Sequence, residues 1–173
     1  MKKEKEQDTS QTAVNILSDV VYTFPVSATT ENFVVKDKFK IDTSKKAKVK
    51  ISYLGEGFRE RLLKKIEKPF PGSTLCGRQL NKKSVDGPIL TELGESEKAE
   101  TTLVEVYAML EKWAEGKGAL LCNGRANIFY IRDINDILCS VDIVWRGIGY
   151  SVDACSVDRL DALYAGQRIF SRN

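Results

Sequence analysis

Histidine is absent from this sequence of 173 residues. Its absence excludes Ser-His-Asp and Cys-His activation of a nucleophile, and it excludes every zinc site that needs an imidazole ligand. Carboxylate, lysine and tyrosine chemistry would remain. The sequence also contains neither a Walker phosphate loop nor a Gly-x-Ser-x-Gly motif. We therefore favour a protein that is not an enzyme, and we expect no cofactor.

The chain has no apolar run of the roughly 18 residues that a transmembrane helix needs, so we expect no membrane partner. Its N-terminus begins with lysines, but no apolar stretch follows, which argues against a secretory signal. The four cysteines form no Cys-x-x-Cys pair and match no zinc spacing. They are Cys76, Cys122, Cys139 and Cys155. We interpret them as buried thiols in a reducing compartment and expect a cytoplasmic location.

Charge is distributed unevenly along the chain. Residues 1–90 contain 18 lysines and arginines against 11 acidic residues, a net charge of +7. Residues 91–173 contain 9 against 13, a net charge of −4. Such an asymmetry suggests an anionic partner for the basic half. The alternative is that the two halves complement each other, within one molecule or between copies.

Six lysines dominate the basic half. Apolar residues and lysines alternate with a period of two in two runs, FVVKDKFKI at 33–41 and KAKVKISY at 46–53. This period is typical of a strand with one buried and one exposed face. It predicts an N-terminal β-hairpin over 33–54 with its loop at 43–45. The exposed face would carry Lys36, Lys38, Lys40, Lys46, Lys48 and Lys50.

Lysines that face one another across a strand pair repel, so this face needs open solvent or an anionic partner. An amphipathic helix predicted at 58–68 extends the basic patch with Arg61, Lys64 and Lys65. We predict a non-catalytic binding protein whose macromolecular partner is an acidic protein surface or nucleic acid. Base stacking is not expected, because the aromatic residues of the hairpin are predicted to face the core. A merely solvated strand face is the alternative.

The whole pattern predicts an α+β domain over residues 13–173, preceded by a flexible tail at 1–12. Two prolines near 69–73 mark a candidate internal boundary. A second short helix is predicted at 84–94, with Gly94 as its stop.

A longer helix is predicted at about 96–115, with Leu103, Leu110 and Trp113 on its apolar stripe. Residues 119–157 predict a four-stranded antiparallel meander, with turns at 123–124, 133–136 and 147–148. We expect the helix to pack on the meander face that contains Ile128, Val141 and Ile143.

Two aspartates form the other candidate site. The turn at 147–148 places Asp142 opposite Asp153, and it places Trp145 opposite Tyr150. Two facing carboxylates can share a proton or hold a cation, with Arg146 as a neutralising partner. Such a site would suit a small carboxylate-dependent enzyme. A divalent cation wants more oxygen ligands than this pair supplies, so both are weak metal candidates.

Two pairs of stretches resemble a group of uncharacterised small proteins from uncultivated bacteria with reduced genomes. The stretches are residues 85–89 with 97–103 (VDGPI and EKAETTL), and 126–133 with 165–173 (ANIFYIRD and AGQRIFSRN). The resemblance covers most of residues 33–173. It implies a bacterial origin, and because the group has no assigned activity it transfers no site.

Overall fold

The structure is a computed structural model that describes residues 15–172. The tail predicted at 1–12 lies outside these described residues. The helices and strands follow in this order: β1 Leu17–Val26, β2 Phe33–Val34, α1 Val35–Lys38, β3 Ile51–Leu54, α2 Glu56–Arg61, β4 Ile66–Glu67, β5 Ser73–Leu80, α3 Asp86–Leu93, α4 Glu95–Ala99, α5 Leu103–Ala114, β6 Ala126–Arg132, β7 Leu138–Trp145, β8 Tyr150–Ser156 and β9 Arg168–Arg172. The predicted α+β class is confirmed. Among the described helices, none has the length and apolarity needed to cross a membrane.

Seven strands form one mixed sheet in the order β1-β5-β9-β6-β7-β8-β3. Two neighbouring pairs are parallel, β6 with β9 and β3 with β8, and the other pairs are antiparallel. The two short strands β2 and β4 pair separately. The centre of the sheet is therefore built from the second half of the chain, and both sheet edges come from the first half.

The sheet buries both of its faces. Along β6, Phe129 and Ile131 belong to a core cluster that includes residues of α5. The intervening Ile128 and Tyr130 belong to a second cluster that includes residues of α3. Successive side chains of a strand point to opposite faces, so helix α5 covers one face and helix α3 covers the other.

The predicted pairing of β7 with β8 is confirmed. Trp145 pairs with Tyr150 and Asp142 pairs with Asp153. The rings of Trp145 and Tyr150 lie 5.1 Å apart in an edge-to-face arrangement. Gly147 begins the connecting turn with φ of +86°, a conformation that glycine adopts without strain.

The predicted pairing of β6 with β7 is wrong by one residue. A four-residue turn at 133–136 would pair Arg132 with residue 137, whereas Arg132 pairs with Leu138. The carboxylate of Asp133 accepts hydrogen bonds from the backbone N–H groups of Asn135 (2.8 Å) and Ile137 (3.0 Å), which organises a longer loop. A shift of one residue exchanges the faces of a strand, so Ile128 faces α3 rather than α5.

The predicted fourth strand of the meander, before the turn at 123–124, is not formed. The side chain of Asn127 instead bonds the backbone N–H (2.8 Å) and carbonyl (3.1 Å) of Leu121. The position beside β6 is occupied by β9, which pairs through Arg168 and Ile169. The prediction rested on a local turn signal at 123–124, whereas the strand that pairs with β6 on this side, β9, is distant in sequence.

The predicted helix at 84–94 is confirmed as α3, and Gly94 ends it with φ of +93°. The longer helix predicted at 96–115 is interrupted. Thr102 caps α5 by accepting a hydrogen bond from the backbone of Glu105, whose side chain bonds back to the N–H of Thr102. Since Thr102 is extended at φ −126° and ψ 161°, α4 and α5 are separate helices.

The lysine hairpin predicted at 33–54 is not formed. Only Phe33–Val34 and Ile51–Leu54 are strands, and these belong to different sheets. Val35 and Phe39 are buried one helical turn apart in and beside α1. Asp37 explains the difference, because the hairpin would have turned this charged side chain toward the core, whereas α1 leaves it exposed.

The amphipathic helix predicted at 58–68 is shorter than expected. Phe58 and Leu62 are buried as predicted, but α2 ends at Arg61 and Ile66 is 59% exposed. The chain then turns into β4 and buries Glu67. After Arg61, tertiary contacts rather than the helical spacing of the apolar residues determine the path of the chain.

Replacing Leu110 with alanine is expected to lower the free energy of unfolding by about 2–5 kcal/mol. Leu110 is fully buried in the cluster that contains Val141 and Ile143, so the substitution leaves a cavity. Urea denaturation measures the loss. Leu160→Ala is the control, since Leu160 is 92% exposed and its loss should be below about 0.5 kcal/mol. Equal losses for the two variants would contradict the packing.

Candidate anion-binding groove

The lysines that were assigned to the predicted hairpin remain on the surface. They lie in residues 36–50, which we call the basic segment. Its second half is an irregular loop held at three points. Asp42 exchanges two backbone hydrogen bonds with Ile51, at 2.9 and 3.1 Å. Buried Val49 anchors the loop in the core, and the carbonyl of Lys50 accepts a bond of 2.8 Å from the N–H of Tyr150. The loop is therefore fixed against β8.

Three lysines of this loop line one groove with three aromatic residues. The groove has a volume of about 410 Å³ and lies between the loop, the end of α5 and the turn between β7 and β8. Its lining side chains are Lys45, Ala47, Lys48, Val49, Lys50, Leu110, Trp113, Ala114, Trp145 and Tyr150. This volume is within the range of small-molecule sites. The groove combines positive charge with aromatic surface.

The three aromatic residues form a cluster, which we call the aromatic cluster. The rings of Trp113 and Trp145 lie 4.4 Å apart, and the ring of Tyr150 is 5.2 Å from that of Trp113. Both tryptophans are half-buried, so each keeps an accessible part. Contacts among all three rings hold them in place, and a rigid aromatic surface loses little conformational entropy when a ligand binds.

Tyr150 lines the groove, but its hydroxyl is a buried hydrogen-bonding group. Its oxygen is buried and has no hydrogen-bond partner among residues 15–172. Burial raises the pKa of this hydroxyl above its ordinary value, so it stays protonated and keeps a proton to donate. A buried polar group without a partner is costly, and because this oxygen is buried it is not exposed to the groove.

The charges of the groove are not equally free. Lys48 forms an ion pair of 2.8 Å with Glu111, whose hydrogen bond raises the pKa of Lys48. Lys45 and Lys50 form no ion pair within the described residues, although Lys50 is partly buried. Lys48 therefore joins the loop to α5, and Lys45 and Lys50 are the cations available to an anion.

The other lysines of the basic segment are exposed outside this groove. The side chains of Lys36, Lys40 and Lys46 are exposed and make no hydrogen bond or ion pair within the described part of the chain. The amino group of Lys38 lies 5.8 Å from the ring centre of Tyr107 on α5. These lysines do not lie on one strand face, but they add positive charge to the same segment.

A second groove, of about 350 Å³, contains Lys38 but suits an anion less well. Its lining includes Glu111 and Glu115 beside Lys112, and the Lys112 amino group bonds Glu115 at 2.9 Å. The charges of this groove largely cancel, so the groove with the aromatic cluster is the better candidate.

The three predicted site residues at 61–65 make different contacts in the structure. Arg61 bonds the Asp133 carboxylate at 3.2 Å and steadies the loop between β6 and β7. Lys65 donates to the carbonyl of Arg132 and lies 3.6 Å from Glu67. Lys64 alone is exposed. Arg61 and Lys65 are therefore structural, and neither lines the groove.

The predicted aspartate pair is present, but both carboxylates already have partners within the fold. Arg159 bonds Asp142 at 3.3 Å and also bonds buried Asp86 at 3.3 Å. Asp153 accepts hydrogen bonds from the N–H groups of Ala154 (2.8 Å) and Phe58 (3.3 Å). These contacts occupy the carboxylates.

Arg159, rather than the predicted Arg146, is the neutralising partner of Asp142, and Arg146 is exposed. Within residues 15–172 no group of three or more metal-ligating side chains is positioned to hold a metal ion. Neither Asp142 nor Asp153 lines one of the grooves described here. Nothing in this geometry favours catalysis by the aspartate pair.

Sequence reasoning identified Lys48, Lys50 and the Trp145–Tyr150 pair, but it did not bring them together. Trp113 was assigned to the core stripe of a helix, and Lys45 was assigned to a hairpin loop. One sequence signal could have indicated that Trp113 contributes to the site. Trp113 lies at the end of the apolar stripe, where a large aromatic side chain can extend past the part of the helix that packs on the core. Nothing in the pattern of residues 157–161 indicated Arg159.

Comparison with protein-family models, with curated proteins and with solved structures gave no match to this chain. The candidate site therefore rests on the chemistry of its own residues.

Proposed function

We propose that this protein is a non-catalytic binding protein whose basic segment contacts a polyanion. One observation carries the proposal: Lys45, Lys48 and Lys50 converge on a single groove that also presents the aromatic cluster. A solvated lysine face would need no such convergence.

Charge outside the groove supports the same function. Exposed Lys36, Lys40 and Lys46 continue the basic segment, and a chain of anionic groups longer than the groove could contact them in turn. Long-range attraction by several lysines raises the rate of encounter with a polyanion. The proposal includes a cytoplasmic, bacterial setting. The four cysteines are free, which suits that compartment, although Cys122 is exposed and Cys155 is half-buried rather than buried as expected.

Replacing Lys45, Lys48 and Lys50 together with glutamine is expected to weaken polyanion binding by about tenfold or more and to flatten its salt dependence. Each phosphate contact contributes close to one power of salt concentration. Glutamine is preferred to glutamate because a glutamate at position 48 would repel Glu111. The measurement is a titration of polyphosphate and of nucleic acid, followed by calorimetry at several salt concentrations.

The matched control replaces Lys68, Lys83 and Lys98 with glutamine. These lysines are exposed and line neither groove, so the change in net charge is the same. Urea denaturation establishes that both variants fold. If the two triple variants bind equally well, net charge alone explains the binding. If the unaltered protein binds no polyanion at low salt, the proposed function is wrong.

A further inference from the structure

We infer that the groove is a stacking site for the bases of a single-stranded nucleic acid, with Trp113 and Trp145 contacting the bases and Lys45 and Lys50 contacting the phosphates. This inference rests on the proposed polyanion binding and names its partner. It reverses the expectation that no aromatic residue accompanies the lysines, because the aromatic residues come from α5 and from β7 rather than from the hairpin pattern.

Size and shape favour a single strand over a duplex. The groove, at about 410 Å³, has the size of a small-molecule site and is too small to enclose a double helix. Bases within a duplex are stacked on their neighbours, so their faces cannot reach a side chain. Proteins that bind single strands without strict sequence preference combine a basic groove with aromatic stacking surfaces, and this groove has both.

The aromatic cluster also favours a nucleic acid over an acidic protein segment. Carboxylates of a peptide would satisfy the lysines, but they would leave the two accessible tryptophan surfaces without a partner. A base offers a flat π face to Trp113 or Trp145 and carries oxygen acceptors at its edge.

The chain provides its own reporter for this inference. It contains two tryptophans, and both are in the groove. Intrinsic tryptophan fluorescence therefore comes from the proposed stacking site alone. We expect an oligothymidylate of about ten nucleotides to quench this emission on binding, a length typical of single-strand sites. Inorganic polyphosphate, which has charge but no bases, should bind without comparable quenching.

The variant Trp145→Leu is expected to lower affinity for oligothymidylate by about 5- to 100-fold, the range that the loss of one base–aromatic stack produces. Its affinity for polyphosphate should change less than twofold, because the lysines are retained. Trp145→Phe should restore most of the affinity, since a smaller aromatic face remains. Tyr164→Leu, at an exposed tyrosine outside the groove, is the control and should have no effect.

Anisotropy of a labelled oligonucleotide measures these affinities for every variant, including Trp113→Leu, whose folding is checked by urea denaturation. If Trp145→Leu and Trp145→Phe both bind oligothymidylate as tightly as the unaltered protein, the stacking inference is wrong and polyanion binding stands. Tighter binding of a matched duplex than of the single strand would also overturn it. If neither polyphosphate nor oligothymidylate binds, the proposed function fails as well.

Discussion

Replacing Arg159 with methionine is expected to lower the free energy of unfolding by about 3–5 kcal/mol at neutral pH, the usual cost of breaking a buried ion pair. The Arg159 side chain is 14% exposed and bonds both Asp86, which is fully buried, and Asp142. Methionine keeps the apolar stem of the side chain but lacks the guanidinium group. The pH dependence of the loss therefore separates the unpaired charge of the two carboxylates from the effect of lost volume.

This loss should depend on pH in a defined direction. Burial raises the pKa of Asp86, and it raises the pKa of Asp142 against the opposing charge of Arg159. A carboxyl group with a raised folded-state pKa stabilises the fold when protonated. That contribution is present below the unfolded pKa of about 3.9 and is lost as the pH rises through the folded pKa. Without Arg159 both pKa values rise further.

The deficit of Arg159→Met should thus be largest near pH 7 and should shrink as the pH falls toward 4. Urea denaturation across this range measures it. Adding Asp86→Asn and Asp142→Asn to the variant should recover much of the loss at neutral pH, because the buried charges are removed. Arg146→Met is the control for the loss of an exposed arginine and should cost below about 0.5 kcal/mol. A deficit that is independent of pH would contradict the electrostatic origin.

The sequence predicted those parts of the fold that depend on local signals. The turn at Gly147 fixed the pairing of Trp145 with Tyr150 because a two-residue turn leaves one register. Gly94 ended α3 because a left-handed residue closes a helix with little strain when it is glycine. In both cases a single residue type had a strong conformational preference, and the preference was satisfied in the structure.

Features that depend on distant contacts were not predictable in the same way. Val35 and Phe39 fit both a strand period and a helical period, and their tertiary packing decided between the two. The hydrogen bonds of Asp133 organise a loop between β6 and β7 that is one residue longer than predicted. The resulting shift in register turns the side chains of β6 to the opposite faces of the sheet from those predicted. A strand from the C-terminal end of the chain, β9, displaced the strand predicted beside β6.

In the candidate site, too, the features set by local signals were predicted and those set by distant contacts were not. The lysines were predicted to be exposed, and most are. Their neighbours were predicted wrongly, because the hairpin would have placed the lysines opposite one another. Instead, the irregular loop of the basic segment packs against the end of α5 and brings Lys45, Lys48 and Lys50 to Trp113. No spacing within 33–54 contains that information, because Trp113 lies about 60 residues farther along the chain.

Glu67, which is buried, is expected to contribute strongly to the stability of the fold. Its carboxylate accepts hydrogen bonds from the backbone N–H groups of Leu103 (3.0 Å) and Val104 (2.9 Å) at the start of α5. The first N–H groups of a helix have no partner within the helix. Here they are buried, and a carboxylate from β4 supplies their partner and a negative charge at the positive end of the helix dipole.

Glu67→Ala should therefore lower the free energy of unfolding by about 2–6 kcal/mol, since it leaves two buried N–H groups without a partner at about 1–3 kcal/mol each. Glu67→Gln should cost less, because the amide oxygen still accepts one of the two bonds. Glu60→Ala, at an exposed glutamate of α2, is the matched control and should cost below about 0.5 kcal/mol. Urea denaturation at pH 7 orders the three variants. If Glu67→Gln is as damaging as Glu67→Ala, hydrogen bonding is not the main contribution, and the charge at the helix N-terminus is.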